Sequence, residues 1–333
     1  MRVLVVGAGA IGGYFGGRLL EAGRDVTLLV RPRRAAELAR TGLVIRSQFG
    51  DIDIPMPPMV TADTLREPFD MVLLSCKAYD LDGAMAAFAP AVGPQTVILP
   101  LLNGVRHLDI LEGRFGANHV LGGQCLISAV LDPNGHIVHL SDSHTLSFGE
   151  RDGLPSVRVE AIASVLSSAG FEARLSEAIL QEMWEKWVFI ATAAGITCLM
   201  RASVGDIVAA NGAGLATALL EECAAIAARA GFPPRENSLQ RSRALFTTPG
   251  SGSPRRCSAT SKLGRRLRPT TSSATSFAAA ATRRRVGRFC ASHSPMSKPM
   301  RVGGHEPMPP RLRPPSAPDL RAFRPEISMK RQS

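Results

Sequence analysis

Arg2-Val3-Leu4-Val5-Val6-Gly7-Ala8-Gly9-Ala10-Ile11-Gly12 opens the chain, and its reading decides the fold. A short apolar, valine-rich run makes a buried strand, and Gly-x-Gly-x-x-Gly follows without a gap. A helix pattern then runs from Ile11 to Ala22 and closes at Gly23. Strand, glycine turn and helix together receive a dinucleotide: Gly7 allows the tight turn, Gly9 lets a pyrophosphate approach the backbone, and Gly12 lets the helix lie on the strand. The residues expected at the phosphates are Gly7, Ala8, Gly9, Ala10, Ile11 and Gly12. Free N–H groups and the helix dipole favour anions there. A glycine turn without a ligand is the competing reading, and the flanking pattern on both sides argues against it.

The next strand distinguishes the two nicotinamide dinucleotides. Asp25-Val26-Thr27-Leu28-Leu29-Val30 ends at Arg31, with Arg33 and Arg34 just beyond. An NAD site carries an acid at this point to bind the ribose 2′-hydroxyl. A guanidinium instead grips a 2′-phosphate with paired hydrogen bonds. The cofactor expected is therefore NADP, as NADPH. Arg33 and Arg34 read more simply as the solvated basic start of a helix.

Alternation continues through the first half. Asp70–Ser75 reads as a buried parallel strand ending at Cys76-Lys77, with a helix from Leu81 to Phe88. Thr96–Leu102 is another strand, ending at Asn103-Gly104. This argues a doubly wound α/β sheet, with ligands outside the carboxyl ends of its strands. Lys77 and Asn103 fall at that edge, beside the glycine turn. Short runs around Val138–Leu140 and Thr145–Phe148, with Pro133-Asn134-Gly135 ahead of them, read as a hairpin-like closing section. After Gly153-Leu154-Pro155 the pattern turns helical, with candidates at 157–169, 178–194 and 213–230. The organisation expected is a Rossmann domain over 1–153, an incomplete helical substrate domain over 154–250, and a disordered basic tail over 251–333.

Charge divides the same way. The chain of 333 residues has a net charge of +11, yet residues 251–333 hold 18 Lys+Arg against 3 Asp+Glu. The first 250 residues hold 21 basic and 25 acidic groups, as an ordinary enzyme does. No apolar run is long enough to span a membrane, and with the first strand opening the sequence no signal peptide is expected. The six scattered cysteines and seven histidines show no metal spacing, so the expectation is reduced thiols, no metal and a cytoplasmic protein.

Gly7–Gly13, Arg31, Cys76-Lys77-Ala78, Leu102-Asn103-Gly104-Val105 and Trp184-Glu185-Lys186-Trp187, in this order and spacing, resemble the ketopantoate reductase (2-dehydropantoate 2-reductase) family over residues 1–250. The resemblance implies a Rossmann domain followed by a helical domain, and reduction of a 2-oxo acid by NADPH. It implies Lys186 as the acid that protonates the carbonyl oxygen, and Lys77 and Asn103 as cofactor and active-site contacts. The residue types agree, since an ammonium can protonate the oxygen as hydride arrives at carbon. On the residues alone Lys186 reads equally as a surface lysine that keeps its charge in water. Where the family has asparagines that hold substrate, this chain has Ile190, Ala194 and Val204. Losing polar contacts changes which substrate is preferred. Arg201 is a candidate carboxylate clamp, with a plain surface arginine as the alternative. The substrate site expected is Asn103, Lys186 and Arg201. The partner expected is a small 2-oxo acid, with a homodimer as an allowed assembly.

From Ser251 the chain carries 11 of its 24 prolines and runs such as Arg283-Arg284-Arg285. Such a composition buries too little apolar surface to fold. Shifted by one base, the codons from Cys257 to Lys262 allow Leu and Asp-Ile-Glu, which the family has here, so the tail reads as out of frame. Two other functions compete: an NADP-binding protein impaired by the missing helices, and nucleic-acid binding through the basic tail.

Overall fold

Apolar strands separated by single helices have one economical solution, a parallel sheet with helices on its faces, and a computed structural model of the chain describes residues 1–248 in that form. The elements run β1 (Val3–Val6), α1 (Ala10–Glu21), β2 (Val26–Leu29), α2 (Pro32–Thr41), β3 (Leu43–Arg46), β4 (Ile52–Ile54), β5 (Met59–Val60), β6 (Phe69–Leu74), α3 (Leu81–Phe88), β7 (Val92–Pro100) and α4 (Arg106–Phe115). They continue with β8 (Gly122–Leu131), β9 (Ile137–Gly149), α5 (Val157–Leu166), β10 (Glu172–Leu175), α6 (Ile179–Met200), α7 (Val204–Ala209), α8 (Ala213–Arg229) and α9 (Glu236–Thr247). The basic tail and its shifted reading frame lie outside the described residues.

Five strands form the first sheet in the order β5-β2-β1-β6-β7, and every pair is parallel. The order reverses between β1 and β6, which puts the ligand crevice above the glycine turn. A second sheet, β10-β9-β3-β4 with β8 against β9, lies beyond α1. The helix is sandwiched, and its glycines permit this. A Cβ at Gly16 would press on Val5 and Leu28 of the first sheet, and one at Gly17 on Leu43 and Ile45 of the second. One face of the first sheet joins Val3, Val5 and Leu73 to Tyr14, Phe15 and the second sheet. The other face joins Leu4, Val6, Val72 and Leu74 to α3 and α4.

The fold is the expected Rossmann sheet followed by helices, with one boundary moved. Residues 157–175, expected in the helical domain, belong with the sheets. β10 pairs in parallel with β9, and Val159, Ile162 and Leu166 of α5 bury in the core around α1. The helical part therefore begins at α6. There Trp187, Val188 and Ile196 pack with Leu219 and Leu220 of α8 and Phe246 of α9. Ile179 and Met183, earlier on α6, bury instead in the sheet's core. Cys76, Cys125 and Cys223 are free thiols. Among the described residues no helix is long and apolar enough to cross a membrane.

Candidate active site

β1 ends at Val6, and Gly7 turns the chain with φ +93°, a conformation that side chains other than glycine's resist. Gly9 caps α1 in an extended conformation, no side chain caps the helix, and its first turn holds no acid. A Cβ at Gly9 would meet nothing within 4 Å, so the space over the helix N-terminus is open. At Gly12 a Cβ would overlap the Gly7 carbonyl and Ser75 Oγ. Ser75, at the end of β6, donates to the Val6 carbonyl at 2.9 Å and braces the turn. An open, uncapped helix end with a backbone-lined mouth fits a pyrophosphate.

Arg31 follows β2 as the N-cap of α2, with Pro32 at the first helical position. Its side chain is 73% exposed, and Nη2 donates to Asp80 Oδ1 at 2.8 Å. That bond and the charge of Asp80 raise the guanidinium's pKa. Arg33 is exposed, as expected. Arg34 departs from its reading as a solvated residue. It is only 14% exposed, and it donates from Nε to the Ala8 carbonyl and from Nη2 to the Gly135 carbonyl, both at 3.0 Å. It ties the glycine turn to the β8–β9 loop.

Lys77 leaves β6 at the carboxyl edge and is exposed there, and Asn103 does the same after β7. The Asn103 loop turns at Gly104, φ +90°, where a Cβ would lie 3.9 Å from Trp187 Cδ1. That contact lays the loop against α6 beside Lys186. Lys186 is half-buried and donates from Nζ to the Cys125 carbonyl of β8 at 2.6 Å. Burial pushes the Cys125 thiol's pKa up against the charges of Lys186 and Lys77, so both ammonium groups lie within electrostatic reach of it. The neighbouring Glu185 faces elsewhere. Burial raises its pKa, but hydrogen bonds from Arg235 and Gln181 outweigh this and hold it below the usual carboxylate range.

Two further residues at this edge escaped the sequence reading. Asp80 looks like an ordinary helix-start acid until Arg31 is found on it. His107, in the first turn of α4, is 5% exposed, and its Nε2 is buried without a hydrogen-bond partner among the described residues. Burial, and after it the charge of Lys186, pushes its pKa down to about 4. The imidazole is therefore neutral at physiological pH.

Arg201 is not brought to this place. It sits exposed at the far end of α6 in the left-handed conformation, φ +52°. Fifteen positions separate it from Lys186, about 22 Å along the axis at ~1.5 Å per residue. The structure does not bring Arg201 and Lys186 together. Ile190 and Ala194, one and two turns beyond Lys186, are half-buried, and Val204 is fully buried.

A parallel sheet whose order reverses beside an open helix end for phosphates, with Lys186 half-buried on α6, is the architecture of a nicotinamide-dinucleotide oxidoreductase. Comparison with known proteins agrees. Residues 3–153 match the family Ketopantoate reductase PanE/ApbA, and residues 178–290 match Ketopantoate reductase PanE/ApbA C terminal. The chain belongs to the ketopantoate reductase family. The second match runs beyond residue 250, where the resemblance read from the sequence stops. The uncharacterized oxidoreductase YkpB of Bacillus subtilis is 41% identical over 234 residues, covering 70% of this chain and 77% of that one. The crystal structure of 2-dehydropantoate 2-reductase from Geobacter metallireducens superposes with a TM-score of 0.71 at 27% identity, covering 80% and 89% of the two chains. A ternary structure of D-mandelate dehydrogenase with NADH and anilino(oxo)acetate shares the fold alone, with a TM-score of 0.73 at 20% identity over 86% and 93%.

Proposed function

We propose that the protein reduces a 2-oxo acid to the 2-hydroxy acid with NADPH, the substrate being 2-dehydropantoate or a close relative. The observation that carries this reading is Lys186, held by the Cys125 carbonyl at 2.6 Å beside the Asn103-Gly104 loop that rests on Trp187. The dihydronicotinamide supplies hydride to the carbonyl carbon when it is bound. Gly7 to Gly12 bind the pyrophosphate through backbone N–H groups, and Arg31 binds the 2′-phosphate. Lys77 and Asn103 orient the reacting end. Lys186 donates a proton to the carbonyl oxygen, and the Cys125 carbonyl fixes the direction of its ammonium. The family's substrate name and the structural relative's 27% identity support the 2-oxo acid class. Ile190 and Ala194 on the same helix favour a substrate with a less polar tail than the family's asparagines select.

A panel of 2-oxo acids with graded side-chain polarity, assayed for NADPH oxidation, tests this. Saturable turnover of at least one 2-oxo acid is the expected result. Tight NADPH binding without turnover of any of them would leave a nucleotide-binding protein and overturn the reading.

A further inference from the structure

The adenosine end of the cofactor site carries both signs of charge. β2 and β6 flank β1 on its two sides, and their carboxyl ends launch the segments that hold Arg31 and Asp80. Those segments meet through the 2.8 Å bond from Arg31 Nη2 to Asp80 Oδ1. Arg31 is 73% exposed and Asp80 30% exposed, so both can reach a ribose that arrives from solvent. The guanidinium meant for a 2′-phosphate thus already has a carboxylate on it.

The two dinucleotides feel this pair oppositely. A 2′-phosphate brings roughly −1.5 to −2 charges. It must share or take the donors that Asp80 holds, at close range to a like charge. A 2′-hydroxyl carries no charge and can donate a hydrogen bond to the same carboxylate. That is the service an acid at the end of the second strand performs in NAD sites. We propose that Asp80 is a specificity-determining residue, which restrains the preference for NADPH and equips the same site to accept NADH. The inference rests on the reading of Arg31 as the 2′-phosphate ligand.

Asp80→Asn keeps the size of the side chain and removes its charge at a partly exposed position, so the fold tolerates it. In equilibrium titrations without substrate the Kd for NADPH should fall roughly threefold to tenfold, as expected for relief of a solvent-screened like-charge contact, and kcat/KM with one 2-oxo acid should rise in step. Affinity and kcat/KM for NADH should fall by a similar factor, and the gain for NADPH should shrink as salt rises. The NADH loss should persist when Asp80→Asn is made on an Arg31→Ala background, because the carboxylate meets the hydroxyl itself. An unchanged NADPH-to-NADH ratio would overturn the proposal. So would a fall with NADPH, which would make Asp80 a support for Arg31. Arg31→Ala alone tests the underlying reading separately. Equal loss of both cofactors there removes the 2′-phosphate role, whereas failure of Asp80→Asn alone leaves that role standing.

Discussion

At the scale of single residues, three side chains carry separable predictions. Lys186→Ala should lower turnover roughly 10²- to 10⁴-fold, the loss expected of a general acid, while NADPH still binds. Turnover close to wild type would return Lys186 to a structural part on the Cys125 carbonyl. Arg31→Ala should weaken NADPH binding by ~1.5–3 kcal/mol, as for a hydrogen bond to a charged group, and leave NADH nearly unchanged. Equilibrium titration with each cofactor checks it. His107 predicts a pH effect on stability. Its pKa falls from an ordinary 6.5 to about 4 on folding, through burial first and the Lys186 charge second. Between those values the unfolded chain binds a proton that the folded chain refuses. The contribution is therefore whole above pH 6.5 and is lost as pH falls toward 4. Urea midpoints across this range should fall less steeply for His107→Leu, and parallel slopes would rule the account out.

At the scale of elements, two glycines in helices predict opposite signs. Gly12→Ala puts a methyl group onto the Gly7 carbonyl and Ser75, so α1 must lift from β1, at about 1–3 kcal/mol for overpacking. Dinucleotide binding should be lost with it. Gly83, in α3, has nothing within 4 Å of a built Cβ, and alanine there should stabilise by roughly 0.5–1 kcal/mol. Thermal melts of the two variants decide both. The same contrast explains which elements were legible from the sequence. β1, α1, β2, β6 and α3 bury strong apolar patterns, and their positions follow from the residues within one or two positions. α2 buries only Leu38, α9 only Ser242 and Phe246, and β10 has no fully buried position. β10, without a buried face, leaves no alternating signal. β9 read as two short runs because polar Ser141-Asp142-Ser143 occupies the middle of one long strand. The site divides likewise. The glycine turn and Arg31 are local motifs, whereas Asp80 on Arg31, Arg34 on Ala8 and Lys186 on Cys125 join residues up to 61 positions apart. Only the folded chain brings those together.

At the scale of the molecule, α6 joins the two cores. Ile179 and Met183 bury in the sheet's core, and from Trp187 onward the same helix buries among α7, α8 and α9. Lys186 stands where one core gives way to the other. A 22-residue helix seated in both should tie their stabilities together. Met183→Ala should cost ~2–5 kcal/mol by leaving a cavity. Both tryptophans of the chain lie on α6, so their fluorescence follows the helical side while circular dichroism follows the whole. The two denaturation curves should coincide before and after the substitution. Separate transitions would mean that the halves unfold independently.

The helix that begins at the proposed phosphate cradle is held between two sheets, with glycines in place of the side chains that would keep them apart. Such a helix has little room to shift when an anion arrives. The cradle is ready before encounter, so nucleotide association should be governed by diffusion and long-range attraction, with no slow ordering step to gate it.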